Sequence, residues 1–298
     1  MADPEIVALR ELLAQRPRPE AISERRASFD AFAKVFPTAA DIVVEKVTAN
    51  GVPAEWTGAP GANRSRVVLY VHGGGYVIGS LDSHRHVASE IARDLGGRTL
   101  ALHYRLSPEQ PFPAPVEDTV AAYRFLLAQG IAANNIAIAG DSAGGGLVVA
   151  ALVAIRDAGL AQPACGWCIS PWVDMEGIGA SMTGKAAEDP MVQKEPLLEM
   201  AAHYLSGADP RSPLAAPLYA DLHGIAPLFI QVGAAETLLD DAIRLAGVAG
   251  AADVPVTLEV WPEMVHVWHL FHPRLSAGRR AITAGARFVR AAMDAKPG

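Results

Sequence analysis

Short apolar runs alternate along this chain with longer stretches whose apolar residues recur at helical spacing. Strand-like runs occupy Val67 to Val71, Thr99 to Tyr104, Asn135 to Ala139, Ala164 to Ser170, Ala226 to Val232 and Val256 to Trp261, after two earlier candidates at Ile42 to Val47 and Ala54 to Thr57. Between them, helical patterns run from His84 to Leu95, Val116 to Leu127, Gly145 to Leu152 and through Arg244 and Leu245, with a last one from Ala281 to Met293. Runs this short and this apolar suit strands buried on both faces. Strand–helix alternation predicts an α/β fold, a mostly parallel sheet with helices on both faces, in a single domain spanning residues 1–298. Two segments break the alternation. Phe29, Phe32 and Phe36 form an apolar helical stripe near the start, and Leu197, Leu198, Met200, Ala201 and Tyr204 form another within residues 177–209. Periodicity alone makes both stripes core, covering sheet edges.

Two of the strands run straight into glycine-rich turns. Asn135 to Ala139 leads into Gly140-Asp141-Ser142-Ala143-Gly144 and then an apolar helix. A G-x-S-x-G set between strand and helix is a nucleophile elbow, whose tight turn strains the serine backbone and needs glycine on either side. A serine hydroxyl is a weak nucleophile, so the elbow implies a base, an acid to orient it and donors for an oxyanion. Val67 to Val71 leads into His72-Gly73-Gly74-Gly75-Tyr76, which matches the oxyanion loop of esterases and lipases. The backbone N–H groups of Gly74 and Gly75, with that of Ala143, are the expected donors.

With these motifs the chain resembles the bacterial hormone-sensitive-lipase-like branch of the α/β-hydrolase family over nearly its whole length. The resemblance is also carried by Tyr104-Arg105-Leu106-Ser107-Pro108-Glu109, Ser170-Pro171-Trp172, Asp189-Pro190-Met191-Val192 and Met264-Val265-His266. It implies an α/β-hydrolase fold, hydrolysis of short-chain carboxylic esters, and a helical cap built from about residues 1–40 and 177–209. It also implies the chain order serine, acid, histidine.

For the acid, Glu236 lies in the loop just past the strand Ala226 to Val232, where the family usually carries aspartate. Asp240 is the rival and Asp241 stands behind it. Thr237-x-x-Asp240 resembles a capping box opening a helix, and a loop residue is better placed than one in a first helical turn. For the base, His266 is the first histidine after Val256 to Trp261; His269 is the alternative, expected with His272 inside the last helix. Steps of three rotate around a helix, so His266, His269 and His272 do not make a metal site, and neither metal nor cofactor is expected. His266 would take the Ser142 proton, Glu236 would orient the imidazole, and water would release the acyl-enzyme.

Composition adds boundaries. The net charge of −7, with five lysines, argues against nucleic acid and against an anionic membrane surface. No run approaches a membrane span of about 18 apolar residues. The acidic start Met1-Ala2-Asp3-Pro4-Glu5 lacks the pattern of a secretory leader, which makes the cytoplasm the expected compartment. Cys165 and Cys168 sit three apart on a strand and point to opposite faces, so they read as buried thiols rather than a redox pair. Arg105 and Glu109 are expected to anchor a buried loop together, Asp141 to support the elbow, and Ser83-His84-Arg85-His86 to form a solvated helix start. The same machinery would also serve lactones or activated amides, and a hydrolase fold can act as a ligand receptor. The last strand and helix leave room for a homodimer.

Overall fold

The computed structural model describes residues 3–17 and 19–295. Met1 and Ala2, part of the acidic start considered above, lie outside the described residues. Among the described residues eight strands form one sheet: β1 (Val43–Ala49), β2 (Val52–Gly58), β3 (Val67–Val71), β4 (Arg98–Leu102), β5 (Ile136–Asp141), β6 (Cys165–Ile169), β7 (Leu228–Gly233) and β8 (Val256–Trp261). Their spatial order is β1-β2-β4-β3-β5-β6-β7-β8. β1 and β2 pair antiparallel, as do β2 and β4; every other pairing is parallel. The parallel strands need crossovers, which the intervening helices supply.

The helices are α1 (Pro4–Ala14), α2 (Ile22–Ala33), α3 (Leu81–Leu95), α4 (Ala114–Ala128), α5 (Ala143–Asp157), α6 (Ser181–Gly184), α7 (Lys194–Leu205), α8 (Leu239–Ala251) and α9 (Ser276–Asp294). Alternation along β3 shows how they divide between the faces. Val67, Leu69 and Val71 join the core under α4, α5 and α8, whereas Val68 and Tyr70 join the core under α3 and α9. Helices cover both faces, so every residue of β3, β5, β6 and β7 is buried. Cys165 belongs to one core and Cys168 to the other, both as free thiols, as their spacing on a strand requires. Burial pushes the Cys165 thiol up to about 12, well away from nucleophilic use. Among the described residues no helix is long and apolar enough to cross a membrane.

Several local expectations are corrected by packing. His269 lies in a 3-10 turn, Trp268–Phe271, and His272 just after it, both ahead of α9. Arg105 pairs with Asp118 and Glu117, while Glu109 pairs with Arg26 of α2. His84 and His86 are buried rather than solvated, because α3 starts against the sheet with Ser80 as its cap. Thr237 does not cap α8; its hydroxyl donates to Asp189, and Asp240 N–H donates to Ser181 instead.

Candidate active site

The carboxyl ends of the parallel strands gather the reactive side chains, which is where open α/β sheets place their ligands. β5 ends at Asp141, Ser142 turns the chain, and α5 begins at Ala143. Ser142 has φ 56°, a left-handed backbone for a residue that has a Cβ. The flanking glycines permit that turn because β3 passes so close. A Cβ at Gly140 would stand 2.5 Å from the Val71 carbonyl oxygen, and one at Gly144 would run into the same atom.

Ser142 Oγ lies 2.9 Å from His266 Nε2, and His266 Nδ1 lies 2.6 Å from Glu236 Oε2. A carboxylate only accepts, so Nδ1–H donates to Glu236 and Nε2 is left to accept the Ser142 hydroxyl. Glu236 is fully buried, and its other oxygen accepts from Gly233 N–H at 2.6 Å and Ser170 O–H at 2.8 Å. Ser170 Oγ in turn accepts the N–H of Val267 at 3.1 Å, tying the histidine loop to the acid. Burial disfavours the imidazolium of His266, but the charge and hydrogen bond of Glu236, with the charges of Asp189 and Asp141, outweigh it. The net shift is upward from the ordinary histidine value.

Asp240, the rival acid, accepts from Ser181 N–H at 2.8 Å. Asp241 accepts from the Val173 and Asp174 N–H groups and from Arg244. Each therefore holds loop backbone. His269 Nε2–H donates to Gln231 Oε1, 2.8 Å away, and faces the sheet. Among the described residues no cluster of three or more His, Cys, Asp or Glu side chains has a metal-holding arrangement. Trp268 is wholly buried core; its neighbours Val267 and Leu270 are the ones that reach the cavity.

That cavity holds about 180 Å³ and opens over Ser142 and His266. Gly74 and Gly75 line it, with Arg16 and Phe29 from the α1–α2 region and Met191, Leu197 and Met200 from the segment around α7. Ala143, first residue of α5, has no N–H partner within its own helix, as every helix start requires. The backbone of the glycine turn after β3 is fixed from behind. Asp141 accepts from Tyr70 O–H at 2.6 Å and from Gly73 N–H at 3.1 Å, and His84 Nε2 stands 3.3 Å from its other oxygen. Burial alone would raise the Asp141 carboxyl, yet His84 and these hydrogen bonds hold it down at about 2. Support of the elbow, expected of Asp141, extends to the neighbouring loop. The roles of Ser170 and Asp189 were not deduced from the sequence; their motifs marked them, but no local pattern says which distant loop a serine or aspartate will reach.

Comparisons with known proteins agree with this geometry. The family model of the alpha/beta hydrolase fold matches residues 68–270. An acetyl-hydrolase of Streptomyces hygroscopicus is 48% identical over 294 residues, covering 98% of each chain. An esterase from the bacterial hormone-sensitive lipase family superposes with a TM-score of 0.97 at 51% identity, covering 98% of this chain and 99% of that one. The esterase EstE5, in a crystal soaked with p-nitrophenyl butyrate, gives a TM-score of 0.95 at 47% identity over 99% of this chain and all of that one (100%). With strand order, elbow and sequence in accord, the chain belongs to the α/β-hydrolase family, among the bacterial hormone-sensitive-lipase-like esterases.

Proposed function

We propose that this esterase hydrolyses short-chain carboxylic esters through an acyl-enzyme on Ser142, with His266 as general base and Glu236 as the orienting acid. The single observation that carries the reading is the buried relay from Ser142 Oγ through His266 to Glu236, 2.9 and 2.6 Å long, opening into a cavity beside Gly74 and Gly75. His266 Nε2 takes the Ser142 proton as Oγ attacks the ester carbonyl. The Gly74, Gly75 and Ala143 N–H groups hold the oxyanion, and each such donor is worth roughly 3 kcal/mol at the transition state. Collapse of the intermediate expels the alcohol, which receives the proton from His266. Water then gives a proton to His266 and attacks the acyl carbon, and collapse of the second intermediate returns Ser142 and the acid product.

The space directly over Ser142 holds about 180 Å³ and adjoins a hollow of about 320 Å³ that shares Arg16, Phe29, Met191 and Met200 with it, so in this reading a short acyl group fills the inner space. Residues from 1–40 and 177–209 act in this reading as a cap. Arg16 and Phe29 come from the first segment, Met191, Leu197 and Met200 from the second, and Arg25 on α2 pairs with Glu199 on α7. Turnover of p-nitrophenyl esters from acetate to palmitate, with Ser142→Ala alongside, tests the assignment. Activity is expected to peak at the short chains and vanish in the variant. A folded Ser142→Ala protein that retains turnover would overturn it.

A further inference from the structure

Asp189 lies between α6 and α7, outside the relay, yet its side chain is 3% exposed and its carboxylate collects four donors from two separate loops. Oδ1 accepts the N–H groups of Met191 at 2.8 Å and Val192 at 3.0 Å. Oδ2 accepts the N–H of Thr237 at 2.8 Å and its hydroxyl at 3.2 Å. Met191 and Val192 are walls of the catalytic cavity, whereas Thr237 directly follows Glu236 in the loop after β7. A second bond secures the same loop from the same side: Ser181 O–H donates to the Thr237 carbonyl at 2.6 Å. The segment carrying the cavity wall thus grips Thr237 by both its N–H and its C=O.

We propose that Asp189 is a positioning residue, which acts through Thr237 to hold Glu236 against His266 and locks that acid to the Met191–Val192 wall of the substrate cavity. The inference rests on the relay assigned above. Buried hydrogen bonds to a charged acceptor are strong, and two loops sharing one carboxylate cannot shift independently. Glu236 is fixed at its own oxygens by Gly233, Ser170 and His266, so the backbone behind it is what Asp189 controls. The carboxylate has an electrostatic consequence too. The charges facing His266 are Glu236 from the loop after β7, Asp189, and Asp141 at the end of β5, and all three favour the imidazolium.

The experiment compares Asp189→Asn and Asp189→Glu with the unaltered enzyme and with Ser142→Ala, using p-nitrophenyl butyrate. It reads kcat, KM, the acid limb of the pH profile and the melting temperature. Asparagine offers one acceptor oxygen. The Met191 and Val192 N–H groups are fixed backbone, whereas the Thr237 hydroxyl can turn to accept, so the amide oxygen stays with the former and the acid loop is released. Asp189→Asn is therefore expected to lower kcat by about 10–100-fold, with KM within roughly threefold, as for a displacement of about 1 Å in a catalytic group. Its acid limb should move to lower pH, because one charge favouring protonated His266 is gone. Asp189→Glu keeps that charge but displaces its oxygens, so kcat should fall while the acid limb stays near its original position. Unaltered kcat and acid limb in an Asp189→Asn protein that only melts earlier would overturn the inference. Should Asp189→Asn not fold, an undiminished kcat in Asp189→Glu overturns it instead. Turnover surviving Ser142→Ala would fell the relay itself; an inactive Ser142→Ala beside an unaffected Asp189→Asn would fell this inference alone.

Discussion

Replacing Glu236 with glutamine changes one oxygen to an amide nitrogen at nearly constant shape, and the surrounding donors decide where that nitrogen goes. The oxygen held by the Gly233 N–H at 2.6 Å must remain an acceptor, because a backbone donor cannot turn away. The new NH2 therefore faces His266 Nδ1, where the carboxylate oxygen had stood at 2.6 Å. Two donors cannot face each other at that distance, so the imidazole moves its proton to Nε2, and that N–H then points at Ser142 Oγ in place of a lone pair. Restoring the working tautomer strands a buried donor pair, at about 1–3 kcal/mol. Losing the charge-assisted bond to the developing imidazolium removes about 1.5–3 kcal/mol more. Together these raise the barrier by about 2.5–6 kcal/mol, a fall in kcat of about 10²–10⁴. Water offers no relief, since Glu236 is fully buried. Stopped-flow measurement of kcat on p-nitrophenyl butyrate checks this, with a melting curve to establish that the variant is folded. A loss of less than tenfold in a folded Glu236→Gln protein would refute the tautomer argument.

Asp240→Asn should behave differently: with its side chain holding only the Ser181 N–H among loop contacts, kcat is expected within about threefold and stability lower by about 1 kcal/mol, read by urea unfolding. Acid should weaken the fold through its buried imidazoles. Burial holds His72 at about 3, His86 at about 4, and His269 and His272 at about 3, all below the ordinary 6.5. Their folded values are depressed, so their contribution is complete above pH 6.5 and drains as pH falls, because the unfolded chain binds protons that the folded one refuses. At pH 5 each loses roughly 2 kcal/mol, about 8 in all. Asp241, which burial raises to about 7, returns about 2 of this, and His266 is shifted in the same compensating direction. Urea unfolding at pH 7 and pH 5 should differ by several kcal/mol; equal stabilities would show that these rings are not held neutral.

The parallel core was legible because buried strands leave apolar runs and a crossover helix leaves a stripe. β3 and β8 fall where the pattern puts them, and the tight turns after β3 and β5 follow from glycines that only close backbone approaches require. That Glu236 rather than Asp240 lies against His266 has a similarly local reason: Glu236 sits in the loop just past β7, whereas Asp240 is in the first turn of α8 and holds the Ser181 N–H. Long-range polar pairing was another matter. Arg105 had Glu109 four residues away, yet the fold brings Asp118 to its guanidinium. His84 and His86 look like a wet helix start until Phe29, Phe36 and Tyr70 close around them. Hydrophobic periodicity encodes which face is buried; it carries no address for the partner of a polar side chain.

Five residues that carry side chains follow the carboxyl ends of β3, β5, β6 and β8 with left-handed backbones: Tyr76, Ser142, Ser170, Glu263 and Val267, at φ 62°, 56°, 45°, 64° and 47°. Each such conformation costs roughly 1–3 kcal/mol, so together they consume an amount comparable with the net stability of an ordinary domain. Glycine or asparagine at any of them would ease the chain, and at Ser142 would remove the proposed nucleophile. Selection of variants for heat resistance alone would therefore press first on the residues around the catalytic pocket, and the activity screen would have to be run at every round to keep them.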